Sequence, residues 1–168
     1  MSLPSSERLD AELPDPAAHL GFAAAHFAEP QVAPWHGGPR DTDRVLNMLV
    51  AQREQAADTG FCLWWWRERA SGELVGYTGL NRDQVENEPA VEIGWSITPS
   101  RWRQGLATEA ARAATAWGFE HTGLTEVVAF ALPENRPSRR VMEKLGMQFA
   151  REFEREGLPH ALYRIGRR

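Results

Sequence analysis

Three stretches with the two-residue period of β-strands follow one another with no helical pattern between them: FCLWWWRER, ELVGYTGLNR and AVEIGWSI. Ala70-Ser71-Gly72 is a turn triplet, so the first two read as a hairpin. In the third, Val91, Ile93, Trp95 and Ile97 face one way, while Ala90, Glu92, Gly94 and Ser96 face the other. Pro99 stops it. A chain with this centre is built on a largely antiparallel sheet, and its helices must cover the faces.

Around that centre the period is helical. Asp15 suits an N-cap and Pro16 the first helical position. Leu20, Ala23, Ala24 and Phe27 then share a face until Glu29-Pro30 ends the helix. PWHGGPRDT reads as loop. A second helix carries Val45, Leu46, Leu49 and Val50 as its apolar stripe, with Gly60 beyond its end. A third runs over about residues 107–122, with Gly123 as its C-terminal signal. TEVVAFAL is nearly all apolar, as a strand buried on both faces would be. PSRRVMEKLG is a brief helix, and MQFAREF and LPHALYRIG make a last hairpin around Glu154-Arg155-Glu156-Gly157. A leading strand is expected near residues 7–13. The whole reads as one mixed α/β (α+β) domain over residues 1–168, with about six to seven strands and about four helices.

Composition removes several function classes. No apolar run approaches the ~20 residues that span a bilayer. MSLPSSERLDAEL lacks a basic region and an apolar core, so no signal peptide is visible. Cys62 is the only cysteine and has no internal disulfide partner, which suits a reducing cytoplasm. A net charge of −4 disfavours non-specific nucleic-acid binding. A cytoplasmic protein with no membrane or nucleic-acid partner is therefore expected. Seven tryptophans suggest a dense core, although Trp35 stands in a proline- and glycine-rich loop.

RWRQGLATEAARA places Gly105 just ahead of the third helix, flanked by arginines. Neither G-x-x-x-x-G-K-[ST] nor G-x-G-x-x-G occurs in the chain. The first amides of a helix have no intrahelical partner and sit at the positive end of its dipole. Gly105 lets backbone approach a ligand, and Ala107 keeps the next turn small. The amides of Arg103, Gln104, Gly105, Leu106, Ala107 and Thr108 can thus wrap a diphosphate. On this segment alone, an ordinary helix start with a glycine turn is an equally good reading.

Residues 91–147 resemble the GNAT superfamily of N-acetyltransferases, and within it the branch that includes the ribosomal-protein N-terminal acetyltransferases. EIGWSITPS, WRQGLATEA, LPENRPSRRVMEKLGM and the hairpin ending in LYRI carry the resemblance, in matching order and spacing. It implies acetyl-coenzyme A as co-substrate, no metal, and a sheet splayed near the acyl-CoA site. The anion would be the cofactor's pyrophosphate, held by the pattern [QR]-x-x-G-x-[GA]. Trp102 stands at its first position, and Arg103 where a glycine is frequent. Pantetheine would bond backbone around Ile97 and Thr98, together with Asn135. Glu92 matches a general base acting through water, with His36 and His160 as competitors. Met142 stands where many relatives have a proton-donating tyrosine, so Ser138 of the N-x-x-S pattern is the candidate partner of the leaving sulfur, unless its hydroxyl caps the helix instead.

Trp35, His36, His160, Tyr163 and the Trp64–Trp66 run are candidates for the acceptor side. Alternation turns Trp65 away from Trp64 and Trp66, so the three cannot all line one cleft. Deprotonating a lysine of pKa ~10.4 at pH 7 costs about 4.6 kcal/mol, against about 1 kcal/mol for an α-amine of pKa ~7.8. A site with one modest base therefore suits an N-terminal or small-molecule amine. The implied activity is acetyl transfer to such an amine by direct attack in a ternary complex. A non-catalytic acyl-CoA sensor and a transferase for another acyl group, such as succinyl, are the alternatives. The oligomeric state is either monomer or homodimer.

Overall fold

The structure, a computed structural model, describes residues 2–167. The chain runs β1 (Leu9–Glu12), α1 (Pro16–Ala28), α2 (Thr42–Thr59), β2 (Leu63–Glu68), β3 (Leu74–Val85), β4 (Glu88–Ile97), α3 (Leu106–His121), β5 (Glu126–Ala131), α4 (Arg136–Lys144), β6 (Gln148–Arg155) and β7 (Leu158–Gly166). Short 3-10 turns occupy Ala33–His36 and Pro99–Arg101. The strands form one sheet in the order β1-β2-β3-β4-β5-β7-β6. Every neighbouring pair is antiparallel except β4 and β5. Among the described residues no helix is long and apolar enough to cross a membrane.

The caps sit where local chemistry puts them. The Asp15 carboxylate accepts from the Ala17 N–H at 3.0 Å, and that of Asp41 from the Arg44 N–H at 2.7 Å. Gly60 closes α2 with a left-handed φ of 84°. The β3–β4 hairpin is longer than its sequence pattern suggests. It turns at Glu86 and Asn87, both at positive φ, a turn made without the glycine that normally marks it.

The tryptophan run divides between the two faces, and all three rings are buried. Trp64 and Trp66 join the core beneath α3, where Trp64 meets Trp117 edge-on at 5.1 Å. Trp65 packs beneath α1 and α2 with Phe27, Leu49 and Tyr77. None of the three lines a cleft. Val50 is also not part of the α2 stripe: it is 40% exposed. The buried row is Val45 and Leu49, and its next inward turns bring Gln52 and Gln55, whose amides satisfy backbone groups of Phe61, Leu63 and Leu80.

The feature that positions a site lies between β4 and β5. These strands pair at a single position, Glu92 opposite Val128, and separate beyond it. The Thr98 N–H donates to the Val75 carbonyl at 2.9 Å, so the even-numbered residues of β4 turn their backbone groups toward β3. Ile93, Trp95 and Ile97 turn theirs into the opening.

Candidate active site

At the mouth of the opening, the chain bends through Arg103 at φ 63° and Gly105 at φ 80° into α3. A left-handed conformation costs a residue such as Arg103 about 1–2 kcal/mol. The first backbone bond of the helix is Glu109 N–H to the Gly105 carbonyl at 3.0 Å. The amides of residues 103–108 have no protein acceptor among the described residues. Arg8, from the segment leading into β1, braces the turn. Its guanidinium donates to the Gln104 carbonyl at 3.0 Å and to the Glu109 carboxylate at 2.7 Å, which also accepts from the Ser6 hydroxyl at 2.7 Å. Burial raises the Glu109 carboxyl, but the bonds from Ser6 and Arg8 outweigh it and hold the group below its ordinary range. The anion-facing helix start therefore carries a carboxylate already neutralised by a cation. Nothing in the local sequence pattern points to Arg8, because its contacts lie about a hundred residues away in the chain.

Along β4 the free edge is narrower than expected. The Ile97 carbonyl accepts from the Trp102 indole N–H at 2.6 Å, leaving the Ile97 N–H and both groups of Trp95 facing the opening. Thr98 has no main-chain group to offer a ligand: its N–H goes to Val75, and its carbonyl accepts from Arg101 at 2.9 Å. Trp102→Phe is expected to lower stability by about 1 kcal/mol, the usual net worth of one hydrogen bond. An unchanged urea midpoint would show that the indole bond contributes nothing.

Asn135 is the N-cap of α4, its side-chain oxygen accepting from the Ser138 N–H at 3.2 Å. Capping thus falls to Asn135, and the Ser138 hydroxyl is left without a bond to the protein among the described residues. The amide nitrogen of Asn135 is equally unspent. Met142 is buried in the core.

Glu92 sits at the head of the opening, partly buried but still touched by solvent. Over it the β6–β7 hairpin is clasped to the β3–β4 hairpin by Arg155–Asp83 at 2.9 Å and by an Arg151–Glu86 ion pair. An open cleft of about 750 Å³ lies between the two hairpin tips, lined in part by Asp83, Phe153 and Arg155. Burial, followed by the negative charge of Asp83, pushes the Glu92 carboxyl up to about 8 against the pull of Arg155. Asp83 and Arg155 are thus part of the electrostatics of Glu92, and only the fold brings them to it.

His36 lies on the α1/α2 face, half-buried, with Nε2 3.1 Å from the Ser96 hydroxyl. His26 of α1 meets the same hydroxyl at 2.8 Å. Burial pulls both imidazoles down to about 4, so both are neutral near pH 7. Nδ1 of His26 is buried without a partner, so the cheaper tautomer leaves it a bare lone pair. His26 then donates from Nε2 to Ser96, and Ser96 donates to His36. His160 packs against Phe130 and Phe153, with ring centroids 5.9 Å apart in each case, on the wall beyond Glu92. Trp35 is 44% exposed at the edge of the same face. Tyr163 is placed differently from the sequence reading. It is 3% exposed, lies in the core on the α3/α4 side, and its hydroxyl accepts from Arg139 at 3.3 Å. One step of alternation along β7 separates it from the acceptor side.

The site is thus a seven-stranded sheet opened between two parallel strands, with a bare anion-facing turn at the mouth. The family model described as acetyltransferase (GNAT) domain matches residues 12–148, and the chain belongs to that family. It is 33% identical over 139 residues to the uncharacterized N-acetyltransferase YoaA of Bacillus subtilis (strain 168), covering 82% of this chain and 77% of that protein. An acetyltransferase from Agrobacterium tumefaciens str. C58 superposes with a TM-score of 0.85 at 26% identity, covering 99% of this chain and 96% of that one. Aminoglycoside acetyltransferase AAC(6')-Ib, solved in complex with coenzyme A, shares the fold with a TM-score of 0.75 at 16% identity, covering 95% of this chain and 94% of that one. The protein is an acetyltransferase of the GNAT family, a family that uses acetyl-CoA.

Proposed function

We propose that the chain moves an acetyl group from acetyl-CoA to a primary amine, either a peptide N-terminus or a small molecule, by direct attack in a ternary complex. The observation that carries this reading is Glu92, poised near 8 at the head of the β4–β5 opening. A base is most useful when its pKa lies near that of the working solution. The imidazole of His36, near 4, is too weak to hold a proton taken from an ammonium group. This favours Glu92 over His36.

The bare amides of residues 103–108 hold the diphosphate, and the backbone of Trp95, the Ile97 N–H and the Asn135 amide nitrogen align the pantetheine arm. Glu92 receives the amine proton through a water. The freed amine nitrogen forms its bond to the thioester carbonyl carbon as the carbon–sulfur bond breaks. The Ser138 hydroxyl donates to the departing sulfur and takes up the proton that the nitrogen must still lose, so that the sulfur leaves as the thiol. The products are the acetylated amine and coenzyme A.

An acceptor screen of amines and N-terminal peptides tests the reading, with thiol release and the mass of the acceptor as readouts. Tight coenzyme A binding with no acceptor modified would replace it with the sensor reading. Ser138→Ala is expected to lower kcat about tenfold, the scale of one hydrogen bond to a developing charge, with little change in coenzyme A affinity. An unchanged kcat would remove Ser138 from the chemistry.

A further inference from the structure

Arg40, in the loop between α1 and α2, is a cation without a counter-ion. Several other arginines that turn toward the protein hold carboxylates, Arg67 with Glu12, Arg101 with Glu68 and Arg155 with Asp83, while Arg139 is satisfied by the Tyr163 hydroxyl and the Pro133 carbonyl. Arg40 forms no ion pair among the described residues, and its Nε is buried with no hydrogen-bond partner. Its only side-chain bond among the described residues is from Nη1 to the Met48 sulfur at 3.1 Å, a weak acceptor. Its guanidinium carbon lies 4.4 Å from the centre of the Phe27 ring. Arg40 is half-buried; cation–π attraction recovers part of what its partial burial removes, and the buried Nε is left as a charged donor that an anion would satisfy. Here burial disfavours the charged form, Tyr77 offsets part of that, and the neighbouring charge of Arg44 adds to it.

The position of this cation gives it a use. His36 of the same loop is tied to Ser96 of β4, and Tyr77 lies opposite Ser96 in the sheet register. Glu92 faces the same side, four residues along the strand, a span of about 14 Å at ~3.4 Å per residue. The Tyr77 hydroxyl, pushed up mainly by burial, is drawn down by the charge of Arg40 and raised by that of Glu92, so all three share one electrostatic neighbourhood. With His26 and His36 neutral, Asp83 paired with Arg155 and Glu92 raised to about 8, Arg40 is the unpaired positive charge of this face. We infer that Arg40 receives an anionic group of the acceptor, so that the preferred substrate is an amine that also carries a carboxylate or a phosphate. This rests on the acetyltransferase reading above and narrows its substrate class. The net charge of −4 does not oppose it, because the local charge at the site is what an acceptor meets.

The test compares matched acceptors that differ only in the anion. Amino acids and short peptides with free carboxylates are set against their carboxamides, and O-phosphoethanolamine against ethanolamine. The wild type is expected to favour the anionic member by about 10- to 100-fold in kcat/KM, mostly through KM, the scale of one charge-assisted hydrogen bond. The carboxylate and phosphate pairs separately report which anion fits. In Arg40→Gln the ratio should fall toward one, and Arg40→Lys should keep part of it. Equal use of matched acceptors by the wild type, or a ratio that survives in Arg40→Gln, overturns the inference. If neither variant folds by circular dichroism, the wild-type ratio alone decides. Failure to acetylate any acceptor, neutral or anionic, would instead refute the acetyltransferase reading. Calorimetric titration of the same pairs into the coenzyme A-loaded wild type then judges Arg40, which requires the anionic member to bind about tenfold tighter.

Discussion

Glutamine in place of Glu92 is expected to lower turnover by about 10²- to 10⁴-fold while making the protein more stable in alkaline solution. The change keeps the shape of the side chain and removes its ability to take a proton. Activity of the wild type should rise with pH through about 8, the value to which burial and Asp83 push this carboxyl, and the variant should lose that limb.

The stability effect follows from linkage. The carboxyl's ordinary value is 4.5, and folding raises it to about 8, so the folded state holds the proton more tightly than the unfolded chain. The stabilisation this provides is fully present below 4.5 and is lost as pH rises through 8. Glutamine never ionises, so it escapes that loss. The stability gap between variant and wild type should widen between those limits and level off above them, reaching a few kcal/mol at about 1.4 kcal/mol per pH unit. Urea unfolding at pH 5, 7 and 9 measures the gap, and steady-state rates over the same range measure the limb. A variant that retains both the wild-type rate and the alkaline limb would remove Glu92 from the role of base.

Valine at Gly105 should weaken coenzyme A by about 100-fold or more, with only a modest loss of fold stability. At φ 80° the position is one that glycine adopts freely and a β-branched residue strongly resists. The protein itself has room there, since a Cβ would meet only the Arg8 guanidinium, at 3.7 Å. The direct cost is therefore conformational, about 1–2 kcal/mol if the turn holds its shape. If the turn relaxes, the amides of residues 103–108 swing out of convergence. Each charge-assisted bond lost to a phosphate oxygen is worth about 1.5–3 kcal/mol. Calorimetric titration with coenzyme A, alongside a thermal melt, separates the two effects. Unchanged affinity would mean that the diphosphate binds elsewhere.

Local chemistry was legible in the chain alone. Asp15 and Gly60 bound their helices because capping is settled within a few residues. The Gly105 turn was legible because unpaired amides at a helix start are a property of the next turn of chain. Strand alternation separated Trp65 from its two neighbours before any fold was known, although it could not say that all three would be buried. Alternation alone did not assign Tyr163, because the face of a strand acquires meaning only when a helix covers it, and α4 covers that one.

The long-range features needed the packed fold. The opening at Glu92 exists because β5 joins β4 in parallel at one position and then turns to pair with β7. The raised carboxyl depends on Asp83 and Arg155, which come from two hairpins clasped over it. The His26–Ser96–His36 tie, the Arg8 brace and the unpaired Arg40 follow the same rule. Each depends on groups far apart in the chain, and hydrogen bonding and charge act through space, where only the packed sheet fixes who meets whom.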